Sequence, residues 1–599
     1  MSVEKVAILD AGAQYGKVID RRVRELSVFS DILPINTPIE KLMKADYNTG
    51  IADDEKRLYG VQFHPEVDLS PCGLKILKNF LFGVCNLKGD FKINDRVETC
   101  TAKIREAVGK NKILILLSGG VDSTVCAALL SKTLDPSQII AVHIDNGFLR
   151  KDESTKVIES LKSLGIKVHL ISAGLRFLSG TTMVHVDVVT EALAPASISP
   201  TRTQIDSGVS TGTPEEASDP STKECKSTLN STTQSVPNTD SSGPKRQLHL
   251  SGVEVWSELQ LDPSSLMLCQ GTLRPDLIES ASHLVSQRAD TIKTHHNTTM
   301  LVQLLQKQGR VVEPLSDFHK DEVRQIGKQL GLPESIVNRH PFPGPGLAVR
   351  ILCAAEPYIE RDFSETTSLI KMIAGYHQMS QKPHALLNKI NAAARPEEQQ
   401  RLSKITANRS LAAYVLPIRT VGVQGDHRSY SYACALSSSA APDWDALSFL
   451  ANLIPRICHN INRVVYILGP QVLHPVNDVT VTYLREPVID TLREVDDRVM
   501  SVLQNTGCMN KIDQMPIVLI PIHFDRDPSQ VVSIPSILRS IVLRPVKSAD
   551  FMTCVAAVPG VHIPEEVVYK MQKAAEEVPG ISRVLYDLTS KPPATIEWE

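Results

Sequence analysis

The sequence predicts an α/β protein built around a doubly wound parallel sheet, and three observations carry that expectation. Apolar runs of strand length alternate with runs of helical period after residue 97: Lys112–Leu117, Gln138–Asp145 and Val168–Ser172 read as strands with helices between them. The first of these strands runs directly into Ser118-Gly119-Gly120-Val121-Asp122-Ser123-Thr124 and then into the apolar run Val125–Leu130, giving a strand, a glycine-rich loop and a helix in succession. Composition permits real cores, since 42% of the 599 residues are hydrophobic, enough for about three or four domains.

At the start of the chain, Val6-Ala7-Ile8-Leu9-Asp10-Ala11-Gly12 reads as a strand entering a turn, and Lys17 to Leu26 as a charged amphipathic helix. From about Ala194 to Arg246, Ser, Thr, Pro, Asp and Glu replace apolar residues. Such a stretch cannot bury enough surface to offset its ordering entropy, so disorder is expected there. Order resumes near Leu261, and Pro341-Phe342-Pro343-Gly344-Pro345-Gly346 alternates residues that fix and free the backbone, as a rigid boundary or a lid does. In the C-terminal part, Arg428–Tyr432, a helical run and Ile461–Tyr466 echo Arg539–Leu543, a helical run and Ile581–Tyr586. That repetition predicts two similar α+β units side by side.

Bulk charge excludes some partners. With a net charge of −3 and an isoelectric point near 6.6, no global field recruits nucleic acid or an anionic membrane. No apolar stretch is long enough to span a bilayer, and Met1-Ser2-Val3-Glu4-Lys5 lacks a charged-then-apolar leader, so a cytoplasmic (cytosolic) protein is expected. Eleven cysteines are scattered without paired metal spacing, which suits free thiols in a reducing compartment. The sequons at Asn230, Asn297 and Asn408 then read as chance matches.

The loop at Ser118 carries the chemistry. Its two glycines let the backbone turn tightly with N–H groups inward, and Ser118, Ser123 and Thr124 add hydroxyl donors where the helix begins, so an anion belongs there. It lacks the Gly-Lys-Ser/Thr ending of a Walker loop and the three-glycine spacing of a dinucleotide fingerprint. It resembles instead the signature of ATP pyrophosphatases, which split ATP into AMP and pyrophosphate. Asp122 reads either as a magnesium ligand beside the phosphates or as a cap on the following helix. Asp145, at the carboxyl edge of its strand, is a second-rank ligand candidate that an Asp-Asn-Gly turn explains equally well.

Several further motifs stand in one order along the chain: Ile8–Gly16, Gln62-Phe63-His64-Pro65-Glu66, the Ser118–Thr124 loop, Gln270–Ser280, His340–Arg350, Gly422–Asp426, and Ser590-Lys591-Pro592-Pro593 with Glu597-Trp598-Glu599. Together they resemble the GMP synthase family in its longer, animal-like form. The resemblance implies ATP-dependent amination of xanthosine monophosphate (XMP) to GMP, releasing AMP and pyrophosphate, with ammonia drawn from glutamine and with ATP and Mg2+ as cofactors. It assigns residues 1–90 to a class I glutamine amidotransferase remnant, 98–350 to an ATP-pyrophosphatase (synthetase) domain with the insert at about 194–246, and 351–599 to a dimerisation and substrate domain of two α+β units. It further implies that Ser118, Gly119, Gly120, Val121, Asp122, Ser123 and Thr124 bind ATP, with Asp122 on the metal. Lys320 reaches the pyrophosphate, and Arg274, Asp426, Gln514, Lys591 and Glu597 surround XMP. The partners implied are small molecules, with no membrane and no nucleic acid, in a monomer or homodimer.

Two departures qualify that resemblance. The family's glutaminase triad places a cysteine on a strand-to-helix turn well before the His-Pro-Glu motif; here His64 and Glu66 stand, yet the first cysteine of the chain is Cys72, after both. Gly83-Val84-Cys85 is no substitute, because Phe80-Leu81-Phe82 reads as the end of a helix. Loss of a triad nucleophile costs about a million-fold in turnover, so ammonia-dependent activity is expected. The second departure is Ala194–Arg246, which offers no helical arm. A catalytically impaired nucleotide- or partner-binding relative is the alternative, and an NAD synthetase or tRNA-modifying ligase would fit the loop alone.

Overall fold

The computed structural model describes residues 5–10, 29–34, 50–53, 55, 58–61, 65–66, 72–89, 96–162, 164–184, 234–237, 266–274, 276, 300–408, 410–424, 427–526, 535–548 and 553–599. At the N-terminal side, β1 (Lys5–Asp10) pairs in parallel with β2 (Phe29–Pro34), and β3 (Gly50–Asp53) pairs antiparallel with β4 (Leu58–Val61). The expected helix at Lys17–Leu26 lies outside the described residues. Helix Gly73–Lys78 runs on into a π-helical turn, Asn79–Val84, which buries Leu81, so Phe80-Leu81-Phe82 do close a helix.

β5 (Lys112–Leu116), β6 (Ile139–Asp145) and β7 (Val168–Ser172) fall on the three strand runs read from the sequence. β8 (Thr181–Val184) then pairs antiparallel with β9 (Gln234–Pro237). β9 sits inside the stretch expected to be disordered, most of which lies outside the described residues. Composition does not announce such a strand, because a two-stranded ladder needs only the backbone groups that nearly every residue carries. β10 (Leu266–Cys269) and β11 (Val311–Val312) complete a five-stranded, all-parallel sheet in the order β11-β10-β5-β6-β7.

That order makes the sheet doubly wound, with its direction of winding reversing between β5 and β10. Ile113 and Ile115 face helices Arg96–Val108, Val121–Thr133 and Lys320–Gln329, while Leu114 packs with Val142 and Ile171 on the opposite face. Cover on both faces is why β5 reads as an uninterrupted apolar run. Beyond its first turn helix Val121–Thr133 is apolar nearly all round and correspondingly buried, at Val121 and from Thr124 through Leu130.

The C-terminal part is one mixed six-stranded sheet. Its first unit is an antiparallel hairpin, β12 (Leu411–Gln424) and β13 (His427–Ser438), followed by helix Trp444–Ile457 and by β14 (Ile461–Ile467), which lies parallel to β13. The second repeats the plan with β15 (Ile517–Ile520) and β16 (Arg539–Leu543). A small antiparallel pair follows, β17 (Val546–Lys547) with β18 (Val555–Ala556). Helix Glu565–Glu576 then leads to β19 (Ile581–Asp587), parallel to β16. Antiparallel pairing of β14 with β19 joins the units into the order β12-β13-β14-β19-β16-β15. The echo in the sequence thus falls on two units that share a ladder. Alternation along β14 sends Val464 and Tyr466 into the larger core, under the helices, and Val465 and Ile467 into the smaller core with Trp598.

Candidate active site at the switch point of the parallel sheet

Open parallel sheets bind ligands beyond the carboxyl ends of their strands where the winding reverses, which here is the crevice between β5 and β10. β5 leads into the Ser118 loop and β10 into Gln270-Gly271. Gly119 has φ +79°, a left-handed conformation, and a Cβ there would lie 2.6 Å from Val157 Cγ2. Only glycine fits. Gly120 caps helix Val121–Thr133 without side-chain help, and its N–H makes a long 3.3 Å contact with Ser118 Oγ. Thr124 and Ser123 hydroxyls donate back to the Gly120 carbonyl at 2.9 and 3.2 Å, tightening the first turn. The helix N-terminus therefore presents backbone donors and a positive dipole end to the crevice.

Asp122 lies in the first turn and takes no part in capping. Its Oδ2 is 3.4 Å from Lys320 Nζ, and its Oδ1 is buried without a hydrogen-bond partner. Lys320 opens helix Lys320–Gln329 and turns toward the loop. Gln270 Oε1 is likewise buried and unpartnered, and the next residue, Gly271, packs on Asp122, a Cβ there meeting Asp122 Cβ at 3.5 Å. An orphaned carboxylate oxygen beside backbone donors and one ammonium fits a hard cation shared with phosphates, the way Mg2+ is usually held. No cluster of three or more metal-ligating side chains occurs among the described residues, so such an ion would take most of its ligands from phosphate and water. Behind the loop, a bond to Cys269 and burial push the Cys126 thiol well up, which makes it a packing group and not a nucleophile.

Residues Arg339–Arg350 form a strap across this site. Arg339 donates from Nη1 to the Gly119 carbonyl at 2.9 Å and pairs through Nη2 with Glu153. His340 Nε2 meets the Met509 carbonyl at 3.0 Å; Leu347 N–H donates to the Phe148 carbonyl at 2.7 Å. Arg350 is fully buried, with Nη2 3.1 Å from Glu597 Oε1 and Nη1 3.9 Å from Asp496 Oδ1. Arg150 reaches the same Asp496 at 3.4 Å and stacks on the Phe342 ring at 4.3 Å. The Pro-Gly segment is thus a boundary and a brace together, touching the phosphate loop at one end and the C-terminal tail at the other.

The residues expected around XMP are spread over three elements. Arg274 is mostly buried, 4.0 Å from Asp317, on the β10 side of the crevice. Gln514 is buried and bridged to Val546 through its backbone; Lys591 is bridged to Cys554. Glu597 is held by Arg350, and Asp426 lies outside the described residues. The tail is held by protein contacts. Arg463 donates to the Glu597 carbonyl and to Thr595 Oγ1, both at 2.7 Å, and Arg544 donates to the Ile596 carbonyl at 3.0 Å. Both guanidiniums share the buried Asp587, which also accepts from Trp598 Nε1 at 3.0 Å. Burial and Arg544 pull Arg463 down to about 9 against the attraction of Asp587.

Two expectations change in detail. Asp145 is a turn residue: Oδ1 accepts from Gly147 N–H at 2.9 Å and Oδ2 from Ser154 Oγ at 3.2 Å. Of the two triad residues expected, Glu66 is buried, whereas His64 lies outside the described residues. Cys85 closes the π-helical turn, its N–H bonded to the Phe80 carbonyl, so it faces the carbonyl end of a helix and not the amide end that favours a thiolate. Sequence reasoning missed Arg339, Glu153 and Asp496, and it had Gln270 within the Gln270–Ser280 motif without a role of its own. Only Asp496 left a signal, a carboxylate among the buried Val488, Leu492, Val495 and Val499 of helix Glu486–Asn505.

Comparison with known proteins gives a consistent picture. Three family models match: glutamine amidotransferase class-I over residues 44–84, NAD synthase over 92–181, and GMP synthase C terminal domain over 501–598. The chain is 37% identical to a probable glutamine-hydrolyzing GMP synthase of Caenorhabditis elegans, covering 100% of this chain and 92% of that one. It is 39% identical to the Dictyostelium discoideum GMP synthase over 92% and 71% of the two chains, and 32% identical to that of Methylobacillus flagellatus over 70% and 67%.

Proposed function

From the premise that this chain belongs to the glutamine-hydrolyzing GMP synthase family, we infer that it is a carbon–nitrogen ligase that converts XMP to GMP at the β5–β10 crevice, with ammonia as its effective nitrogen donor. The observation that carries this reading is the convergence of the Gly120 N–H, Lys320 and the unpartnered Asp122 Oδ1 at the switch point.

The base oxygen of XMP attacks the α-phosphorus of ATP, and the bond to the bridging oxygen breaks as pyrophosphate leaves. Ammonia then adds to the base carbon and AMP departs with the oxygen. Negative charge grows on the departing pyrophosphate, so donors already fixed in place stabilise it without reorganising. The backbone N–H groups of residues 118–123 are such donors, and Lys320 supplies a compact charge. Asp122 is the side chain that would hold Mg2+, whose charge would offset part of the same negative charge. Arg274 and Lys591 are the cations suited to the XMP phosphate; Gln514, Asp426 and Glu597 suit its base and ribose. The same reading makes this a cytosolic enzyme, monomeric or homodimeric, with small-molecule partners; no described helix is long and apolar enough to cross a membrane.

Ammonia dependence rests on the missing nucleophile: no cysteine precedes His64. The match to the Caenorhabditis relative runs over 735 positions, more than the 599 of this chain, which supports whole segments having no counterpart here. The test is pyrophosphate release from XMP, ATP and Mg2+ with either ammonium or glutamine. Release with ammonium alone is expected. Equal rates with glutamine would overturn the donor assignment, and binding of both nucleotides with no release would favour the non-catalytic relative.

A further inference from the structure

We propose that Arg339, clamped by Glu153, is a positioning residue that holds the phosphate loop in its anion-binding form by gripping the back of the Gly119–Gly120 peptide. The inference rests on the reaction assigned above and adds to it the part that orients the loop.

The argument begins with peptide geometry. In a planar trans peptide the C=O of one residue and the N–H of the next point in opposite directions. Fixing the Gly119 carbonyl therefore fixes the Gly120 N–H. Arg339 Nη1 holds that carbonyl at 2.9 Å, and the Gly120 N–H on the other side is engaged only by the long 3.3 Å contact to Ser118 Oγ. Gly119 itself does little to resist rotation, since glycine populates both signs of φ with similar ease. A loop of two glycines needs an external hold, and Arg339 supplies it.

Glu153 makes the hold specific. It is buried at the start of helix Glu153–Lys162 and takes the second arm of the guanidinium, so the fork spans a carboxylate and a carbonyl at once. A lysine carries the charge but not the fork, and it cannot serve both acceptors in that plane. The pair is close to neutral as a unit, so it acts on the loop by orientation more than by added charge. Val157, from the same helix, lies 2.6 Å from a notional Gly119 Cβ and closes off the loop's other path of retreat.

The experiment compares the wild type with Arg339→Ala, Arg339→Lys and Glu153→Gln in the full chain. Each variant is checked for folding by circular dichroism and thermal unfolding. Inorganic pyrophosphate and ATP binding are read by calorimetry, XMP binding separately, and pyrophosphate release with ammonium as turnover. Arg339→Ala should weaken pyrophosphate binding and slow release on the order of tenfold to a hundredfold, with XMP affinity unchanged and partial recovery in added guanidinium. Arg339→Lys should recover less than half of the loss, and Glu153→Gln should lie between. Unchanged pyrophosphate affinity in folded Arg339→Ala overturns the proposal. So does an equal loss of XMP affinity without guanidinium rescue, the mark of general packing damage. A wild type that binds pyrophosphate but turns nothing over defeats the assigned reaction and leaves the binding comparison intact as the test of Arg339.

Discussion

At the scale of single residues, the most consequential group outside the crevice is Asp587. It is wholly buried between Arg463 and Arg544 and accepts the Trp598 indole N–H. Burial alone would raise its carboxyl, but the two guanidiniums and Thr589 outweigh that and hold it below the ordinary value. Removing the charge strands two buried cations, so Asp587→Asn should cost about 3–5 kcal/mol in urea unfolding. Because its folded value is depressed, its contribution is complete above the unfolded value of about 3.9 and is lost as pH falls through the folded one. His340 acts in the same direction at a higher pH. Burial lowers its imidazole below 6.5 against bonds to Met509 and Ile512, so the unfolded chain binds the proton more readily. Stability should fall as pH drops below about 6.5, and His340→Gln should flatten that slope in thermal unfolding between roughly pH 5 and 7. Of these residues the sequence disclosed the type and not the partner. A guanidinium that meets a carbonyl 220 positions away, as Arg339 meets Gly119, leaves no local pattern.

At the scale of elements, strands and the phosphate loop were legible because their signals are local: period, β-branching and glycine at a turn. The strap was legible only as stiffness. Proline and glycine in alternation announced a special backbone, but that Gly346 must be glycine follows from the fold, since its φ is +67° and a Cβ would come within 2.3 Å of the Phe148 carbonyl. Gly346→Ala should therefore displace the strap, lowering turnover with ammonium at least tenfold and melting temperature by several degrees. Helix Glu486–Asn505 docks on the loop after β6 through Arg493, which donates to the carbonyls of Gly147 at 2.7 Å and Leu149 at 3.0 Å. Its buried face is a local stripe of Val488, Leu492, Val495 and Val499, while the target of its polar edge depends on chain more than 340 residues away. Arg493→Ala should loosen that contact, seen as faster amide exchange in residues 147–151 with little change in the C-terminal sheet.

At the scale of the whole molecule, order of motifs was more informative than any motif alone. The doubly wound architecture followed from alternating strand and helix runs, but the order β11-β10-β5-β6-β7 did not, because pairing between β5 and β10 closes across about 150 intervening residues. That pairing creates the crevice, so Lys320 and the motif that opens with Gln270 were readable as residues while their place on its far wall was not. The missing nucleophile also acts at this scale. On the proposed ammonia dependence neither Cys72 nor Cys85 is a nucleophile, so Cys72→Ala and Cys85→Ala should leave ammonium-driven turnover unchanged within about twofold and glutamine-driven turnover at background.

The ladder between β14 and β19 has one more implication. It places two like units in a self-complementary contact within a single polypeptide. The outer margins of the joined sheet are also occupied: β12 receives the Trp598 and Pro593 carbonyls at Val421 and Val423, and β15 is met by Ile351 and Leu352. An isologous pair between separate chains gains stability with protein concentration, whereas one within a chain does not. The β14–β19 contact should thus hold unchanged over a hundredfold dilution, read by amide exchange in those two strands, making the cohesion of the joined sheet a property of each molecule by itself.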